Sequence, residues 1–203
     1  MSPVAARPPL TASEMKLIVS GLVLAVFVAS LDQTILAGSL SSIASDLRDF
    51  SAASWLVSGY LIASIVSTPV CGRLSDLFGR RRPLLITGTI YIGGSLFCAL
   101  SSTMTVLIAM RVVQGVGAGG LRAVAMSAMS DLVSPRERGR YQAYFSIAFG
   151  VSSLCGPTLG GLPSKTLGWR SVFWVSSLMG LTAWALIYQH IRHLGASNTR
   201  TER

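Results

Sequence analysis

Residues Gly72 to Leu84 read G-R-L-S-D-L-F-G-R-R-R-P-L, a short basic segment set between two long apolar runs. Gly79 permits a tight turn, and Asp76 stands close enough in sequence to Arg80 and Arg81 for the three to build a charge cluster at a surface. A turn of this kind, carrying four arginines between apolar stretches, is what a membrane-spanning chain leaves on the cytoplasmic side.

The composition around it agrees. Hydrophobic residues make up 51% of the 203 residues and charged ones 12%, with a mean hydropathy of +0.58. That balance excludes an ordinary water-soluble domain. A span needs about 20 mostly apolar residues, and six runs qualify: Leu17 to Leu40, Ala53 to Pro69, Leu84 to Leu100, Met104 to Val133, Tyr144 to Leu162 and Val172 to Tyr188. The first run has basic residues before it and a small-residue site at Val28-Ala29-Ser30, as a cleaved signal peptide would. It continues through Ile35, Leu36 and Leu40, which is too long for a signal core and right for a span. Residues 1–16 and 191–203 read as polar tails flanking a six-helix bundle over 17–190, and the turns between spans are short. Short turns predict that helices adjacent in sequence pack side by side.

The formal charge of +9 does not point to nucleic acid, because the basic residues follow the topology. With the N-terminus inside, the cytoplasmic segments hold twelve of the seventeen: Arg7, Lys16, Arg73, Arg80, Arg81, Arg82, Arg136, Arg138, Arg140, Arg192, Arg200 and Arg203. Arg48, Lys165 and Arg170 fall outside, and Arg111 and Arg122 lie within the fourth span. The positive-inside rule then places both termini in the cytoplasm of an integral, multi-pass protein, with the cell membrane as the expected site. Trp55 and Trp169 fall where an outer aromatic belt is expected. Cys71, Cys98 and Cys155 read as small core residues. His190 and His193, three apart and without carboxylate or cysteine company, read as interfacial polar residues rather than a metal pair. No Ser-His-Asp set, metal cluster or phosphate-cradling loop suggests an enzyme.

Asp32 is the costliest residue of the chain, about eight positions from the outer end of the first span and so roughly 12 Å deep at 1.5 Å per residue. Arg111 lies roughly 9 Å in from the outer start of the fourth span and Gln114 roughly 13 Å. The carboxyl and the guanidinium therefore share a level. A carboxyl shielded from water takes up a proton readily and an approaching guanidinium expels it, so such a pair can load and release protons. A permanent pair that only neutralises two buried charges fits the same spacing. Glycines crowd the fourth span (Gly115, Gly117, Gly119, Gly120) and the fifth (Gly150, Gly156, Gly160, Gly161), where small residues let helix backbones approach closely.

The form Gly-x-Leu-Ser-Asp-x-x-Gly-Arg-Arg-x-x-Leu, filled at Gly72, Asp76, Gly79, Arg80 and Arg81, resembles the loop between the second and third helices of major facilitator transporters. Leu31-Asp32-Gln33-Thr34-Ile35 with Ile43-Ala44-Ser45-Asp46-Leu47 is similar to the first-helix signature of drug:proton antiporters. Leu107-x-x-x-Arg111-x-x-Gln114-Gly115-x-Gly117-Ala118-Gly119 is similar to the fourth-helix signature, and Gly156-Pro157-Thr158-Leu159-Gly160-Gly161 resembles the fifth-helix antiporter motif. Asp131 to Tyr141 looks like the loop after the fourth helix in the fourteen-helix branch of these exporters.

The resemblance implies an all-α membrane protein, the N-terminal half of the major facilitator fold with two inverted three-helix repeats. It implies export of drug-like or metabolite molecules, powered by a proton gradient with no cofactor. By that resemblance Asp32 and Arg111 couple protons, and Gln33, Gln114 and Arg122 line the substrate path. The loop at Gly72, Asp76, Gly79, Arg80 and Arg81 gates the inner face, while Gly156, Pro157, Gly160 and Gly161 let the fifth helix rock. That last motif also argues against a nutrient uniporter or symporter. The partners implied are the lipid bilayer, a small-molecule substrate and no nucleic acid.

Two departures stand out. Major facilitator proteins enclose substrate between two halves, so a single half is expected to be inert alone, or to need a second copy or a complementary six-helix half. Arg122 occupies a position that is usually apolar in the pattern. Eleven residues after Arg111, close to three helical turns, it points the same way, where it could favour anionic substrates, pair with Asp131 or be a tolerated substitution.

Overall fold

The protein, described as a computed structural model over residues 12–190, is built of six α-helices: α1 (Ala12–Asp46), α2 (Ala53–Phe78), α3 (Arg81–Leu100), α4 (Met104–Leu132), α5 (Arg138–Thr166) and α6 (Arg170–His190). Each is long and apolar enough to cross a membrane. Arg7, Arg192, Arg200, Arg203 and His193 lie outside the described residues.

The helices outrun the apolar runs that predict them, because lipid leaves no alternative to intrahelical bonding and one polar turn at each end extends the rod. Pro69 does not end α2, which continues to Phe78. The segment expected as a turn over Gly72 to Leu84 is therefore helical up to Phe78, and the turn itself is Gly79 with Arg80. α3 starts at Arg81, with Pro83 in its first turn, where the absent N–H of proline has no helical partner to lose. Pro157 and Pro163 both lie inside an unbroken α5.

Gly79 has φ +79° and ψ 160°, a region that side-chain-bearing residues almost never enter. Gly79→Ala should therefore destabilise the protein by about 1–3 kcal/mol, read as a lowered midpoint of unfolding in detergent. An unchanged midpoint would mean that the turn relaxes freely. At the opposite end, Asp49 Oδ1 accepts bonds from the Ala52 N–H (3.0 Å) and Ser51 Oγ (2.9 Å) ahead of α2. These bonds hold the Asp49 carboxyl below its ordinary pKa.

Packing departs from the sequence expectation. Of the helices adjacent in sequence only α3 and α4 share an extensive interface; the other large ones join distant helices, α2 with α4, α1 with α5 and α3 with α6, followed by α1 with α6. In consequence α4, the first helix of the second triple, inserts between α2 and α3, while α1 inserts between α5 and α6. The reason lies in shape. A Cβ at Gly115 or Gly119 would strike the backbone oxygens of Tyr60 and Ser64 on α2, and one at Gly117 the backbone of Tyr91 on α3. Gly156 and Gly160 lie equally close to Thr34 and Ile35 on α1. Hydroxyls fasten the same seams: Thr34 Oγ1 donates to the Ser152 carbonyl and Ser39 Oγ to that of Gly160, both at 2.9 Å.

Three apolar clusters fill the interior. One at the end that carries Arg80 includes Leu22, Val124 and Phe145. A second at the far end includes Leu56, Leu107 and Phe173. Between them a smaller one holds Val28, Tyr60 and Tyr91. Trp169, expected in a lipid-facing belt, is instead buried in the far cluster. Its indole N–H donates to Asp46 Oδ2 at 2.8 Å, and the Arg170 guanidinium stacks over its ring at 4.3 Å. A buried indole needs a partner for its N–H, and the carboxylate at the end of α1 supplies it. Trp55 is 57% exposed, as a belt residue would be.

Candidate functional site

The carboxyl on α1 and the guanidinium on α4, which depth counting puts at one level, meet in the interior. Arg111 Nη1 donates to Asp32 Oδ2 at 2.6 Å and to Gln114 Oε1 at 2.9 Å, while Gln114 Nε2 donates to Asp32 Oδ1 at 3.0 Å. The three groups close a ring in which both carboxylate oxygens are engaged. Arg111 Nε reaches the Leu56 carbonyl of α2 at 3.4 Å. Its guanidinium carbon sits 4.2 Å from the Tyr60 ring centroid and 5.8 Å from that of Phe173. Tyr60 is itself held by a 3.1 Å bond from its hydroxyl to the Ala29 carbonyl, so the aromatic shelf is fixed to α1.

Asp32 and Arg111 are each 1% exposed and Gln114 is wholly buried. Two charges removed from water persist only with good geometry and satisfied hydrogen bonds, and this ring provides both. The local sequence explains the register. Arg111 and Gln114 lie three apart on α4 and so share a face, and Gly115 next to them brings α2, with Leu56 and Tyr60, close.

Burial adds to the sequence expectation. Gln114, expected along the substrate path, is enclosed in this structure by Asp32, Arg111 and the Cys98 thiol (3.7 Å). Gln33, one residue from Asp32, points to a half-buried position outside the ring, as a 100° step along a helix requires. Tyr60, Phe173, the Leu56 carbonyl and Cys98 were missed by sequence reading. An aromatic residue in mid-span carries no local sign of which charge it will face.

Arg122 points the same way as Arg111, but no acid meets it. Its Nε and Nη2 are buried without a hydrogen-bond partner. Pairing with Asp131 does not occur, because Asp131 is taken by Arg80. An arginine in the membrane interior costs about 2.5–3.5 kcal/mol on insertion scales, and no hydrogen bond to Nε or Nη2 offsets it.

At the basic end Arg80 donates to Asp131 Oδ2 at 2.7 Å, to Ser75 Oγ at 2.6 Å and to Asp76 Oδ1, which ties the α2–α3 turn to the last turn of α4. Partial burial alone would disfavour the charged guanidinium, but the bonds to Asp131 and Asp76 outweigh it and push the Arg80 pKa up. The cluster expected from Asp76, Arg80 and Arg81 thus closes through Arg80 onto Asp131, with Arg81 exposed. Gly72 lies within α2 with open space where a Cβ would be, so it has no packing duty. Gly156 and Gly160 form the α1 seam described above. Gly161 lies 3.6 Å from the Gly38 oxygen by its Cβ direction, and the Pro157 carbonyl meets Gly38. Among the described residues no group of three or more His, Cys, Asp or Glu could hold a metal ion.

The sequence profile described as Major Facilitator Superfamily matches residues 22–203. The chain is 33% identical over 177 residues to "Multidrug resistance protein 3" of Bacillus subtilis (strain 168), covering 87% of this chain and 35% of that protein. It is 34% identical to the "Multidrug transporter protein MdtP" of the same organism over 84% of this chain and 32% of that one. With "Efflux pump dotC" of Dothistroma septosporum it shares 36% identity over 83% of this chain and 29% of the relative. The chain therefore spans about a third of the length of these curated relatives.

Proposed function

The chain belongs to the Major Facilitator Superfamily, and from that premise we propose that it forms the N-terminal six-helix wall of a proton-coupled exporter of small, drug-like or metabolite molecules. The observation that carries this reading is the closed ring of Asp32, Arg111 and Gln114. A carboxylate gripped on both oxygens inside a bundle is a proton site that is shut in one conformation and opened by separation of the helices that hold it. When α1 and α4 part, Asp32 loses its guanidinium and its amide partner and its oxygens become open to a proton. When they close again, Arg111 and Gln114 reclaim both oxygens. Alternation between these states is a proton cycle, and substrate movement in the opposite direction follows if the same rocking exposes the binding face to each side in turn.

The excess of basic residues at the Arg80 end supports a cytoplasmic side for that end, in a cell membrane. There the bonds from Arg80 to Asp131 and Asp76 act as a latch between the α2–α3 turn and α4. A transport path needs a second wall, which a complementary six-helix half or a second copy supplies. The names of the relatives, multidrug resistance protein, multidrug transporter and efflux pump, support the class of cargo.

The test is Asp32→Asn in vesicles carrying the protein, with a panel of neutral, cationic and anionic dyes and an imposed pH gradient. The asparagine keeps the shape and the Gln114 contact but cannot cycle a proton. Gradient-driven accumulation should stop, while exchange of dye at equal pH on both sides continues. Accumulation that persists in the variant would remove Asp32 from the coupling step. Crosslinking in the membrane reports the second wall, as a dimer or as a heteromeric pair.

A further inference from the structure

A cavity of about 250 Å³ lies between α1, α4 and α5, with Arg122, Ser30, Gln142 and Ser146 as its polar lining and Phe145 and Phe149 among its apolar walls. Two of those polar groups are buried and unsatisfied: the Nε and Nη2 of Arg122 and the hydroxyl of Ser30, which is 1% exposed. The other arginines with buried guanidinium groups are differently placed. Arg111 has Asp32, Gln114, Leu56 and two aromatic faces, and Arg80 has two carboxylates and a hydroxyl. Around Arg122 every other lining side chain is neutral, polar or apolar, so the one missing element is an acceptor that bears negative charge.

We propose that this cavity binds the carboxylate or sulfonate end of an organic anion with an aromatic or short apolar body. Adjacent guanidinium N–H groups form a fork that matches the two oxygens of a carboxylate. The Ser30 hydroxyl is a third donor, and the rings of Phe145 and Phe149 enclose the apolar part. Water accepts such bonds but leaves the charge uncompensated against low-dielectric walls. The same cation disfavours lipophilic cations, so the residue separates cargo by sign. As a subsite for exported molecules the cavity rests on the transporter reading; as a binding site it does not. Anionic chemistry of this kind also arrives on a lipid headgroup, and the test separates the two sources.

The measurement is equilibrium dialysis of the purified protein in an uncharged detergent against radiolabelled benzoate, with benzamide as the neutral isostere. Benzoate should bind at least tenfold more tightly than benzamide. Arg122→Gln should abolish that preference, and Arg122→Lys should keep part of it, since a point charge replaces the fork. Ser146→Asp, which puts a carboxylate into the same space, should lower benzoate affinity at least tenfold in a protein that folds as well as the parent. Phosphatidylglycerol that displaces benzoate where phosphatidylcholine does not would identify the headgroup as the occupant of the same Arg122 site. Equal binding of benzoate and benzamide, or benzoate binding unchanged in both Arg122→Gln and Ser146→Asp, would overturn the proposal. Because the experiment runs without a pH gradient, its failure leaves the Asp32→Asn test of coupling untouched.

Discussion

Arg111→Met should destabilise the bundle by about 3–5 kcal/mol, the usual penalty for removing one partner of a buried ion pair. The thioether fills much of the arginine's volume, but Asp32 is left with a single neutral partner, Gln114 Nε2, in an interior where it is 1% exposed. Asp32→Asn should be milder, about 1–3 kcal/mol, because Arg111 still has Gln114 Oε1, the Leu56 carbonyl and the Tyr60 face to hold its charge. The pair Asp32→Asn with Arg111→Met removes both charges and should recover most of the loss. Reversible unfolding in mixed micelles checks the order. If Arg111→Met is no less stable than Asp32→Asn, the two side chains are not a desolvated pair and the ring does not hold α1 to α4.

Gly160→Ala should be the most disruptive single-methyl change in α5. The added Cβ would overlap the Ile35 backbone oxygen of α1, which is not a flexible side-chain end that can swing aside. Overpacking of this kind costs about 1–3 kcal/mol and more where only backbone can yield. Gly150→Ala, ten residues earlier in the same helix and facing open space, should be neutral or stabilise by up to about 1 kcal/mol through helix propensity alone. Thermal unfolding of the two variants in one detergent provides the contrast, with crosslinking between α1 and α5 as the structural readout. Equal effects would mean that the seam at Thr34, Ile35 and Gly160 is looser than its geometry indicates.

What could be read in the sequence were the properties set by local composition. Six spans follow from apolar length alone, and the level shared by Asp32 and Arg111 follows from counting at a fixed rise per residue. Helix pairing was not legible. Brief turns suggest that sequence neighbours pack together, which holds for α3 with α4 alone, whereas α1 lies against α5 and α4 also against α2. The determinant is the fit of glycine faces to backbone oxygens more than fifty residues distant, as in Gly119 against Ser64 and Gly160 against Ile35. The same limit hid the fate of Trp169, which looks like a belt residue until Asp46 captures its indole. It also hid the isolation of Arg122, whose supposed partner Asp131 is held by Arg80 from another helix. The family resemblance sets Gln114 along a path but carries no sign of its partners, and here the amide completes a ring whose members are at most 1% exposed.

The exchange of first helices between the two triples also constrains biogenesis. α1 leaves the ribosome long before α5 and α6, the helices that will flank it, and Arg111 follows Asp32 by 79 residues. At about 5–20 residues per second that interval is roughly 4–16 s. Throughout it the nascent α1 carries an acid with no cation yet available, which favours its lingering in the insertion machinery or in contact with water. Early exit into the bilayer would be penalised by that one side chain, so co-translational handling of α1 should respond to Asp32→Leu as a faster release from the translocon.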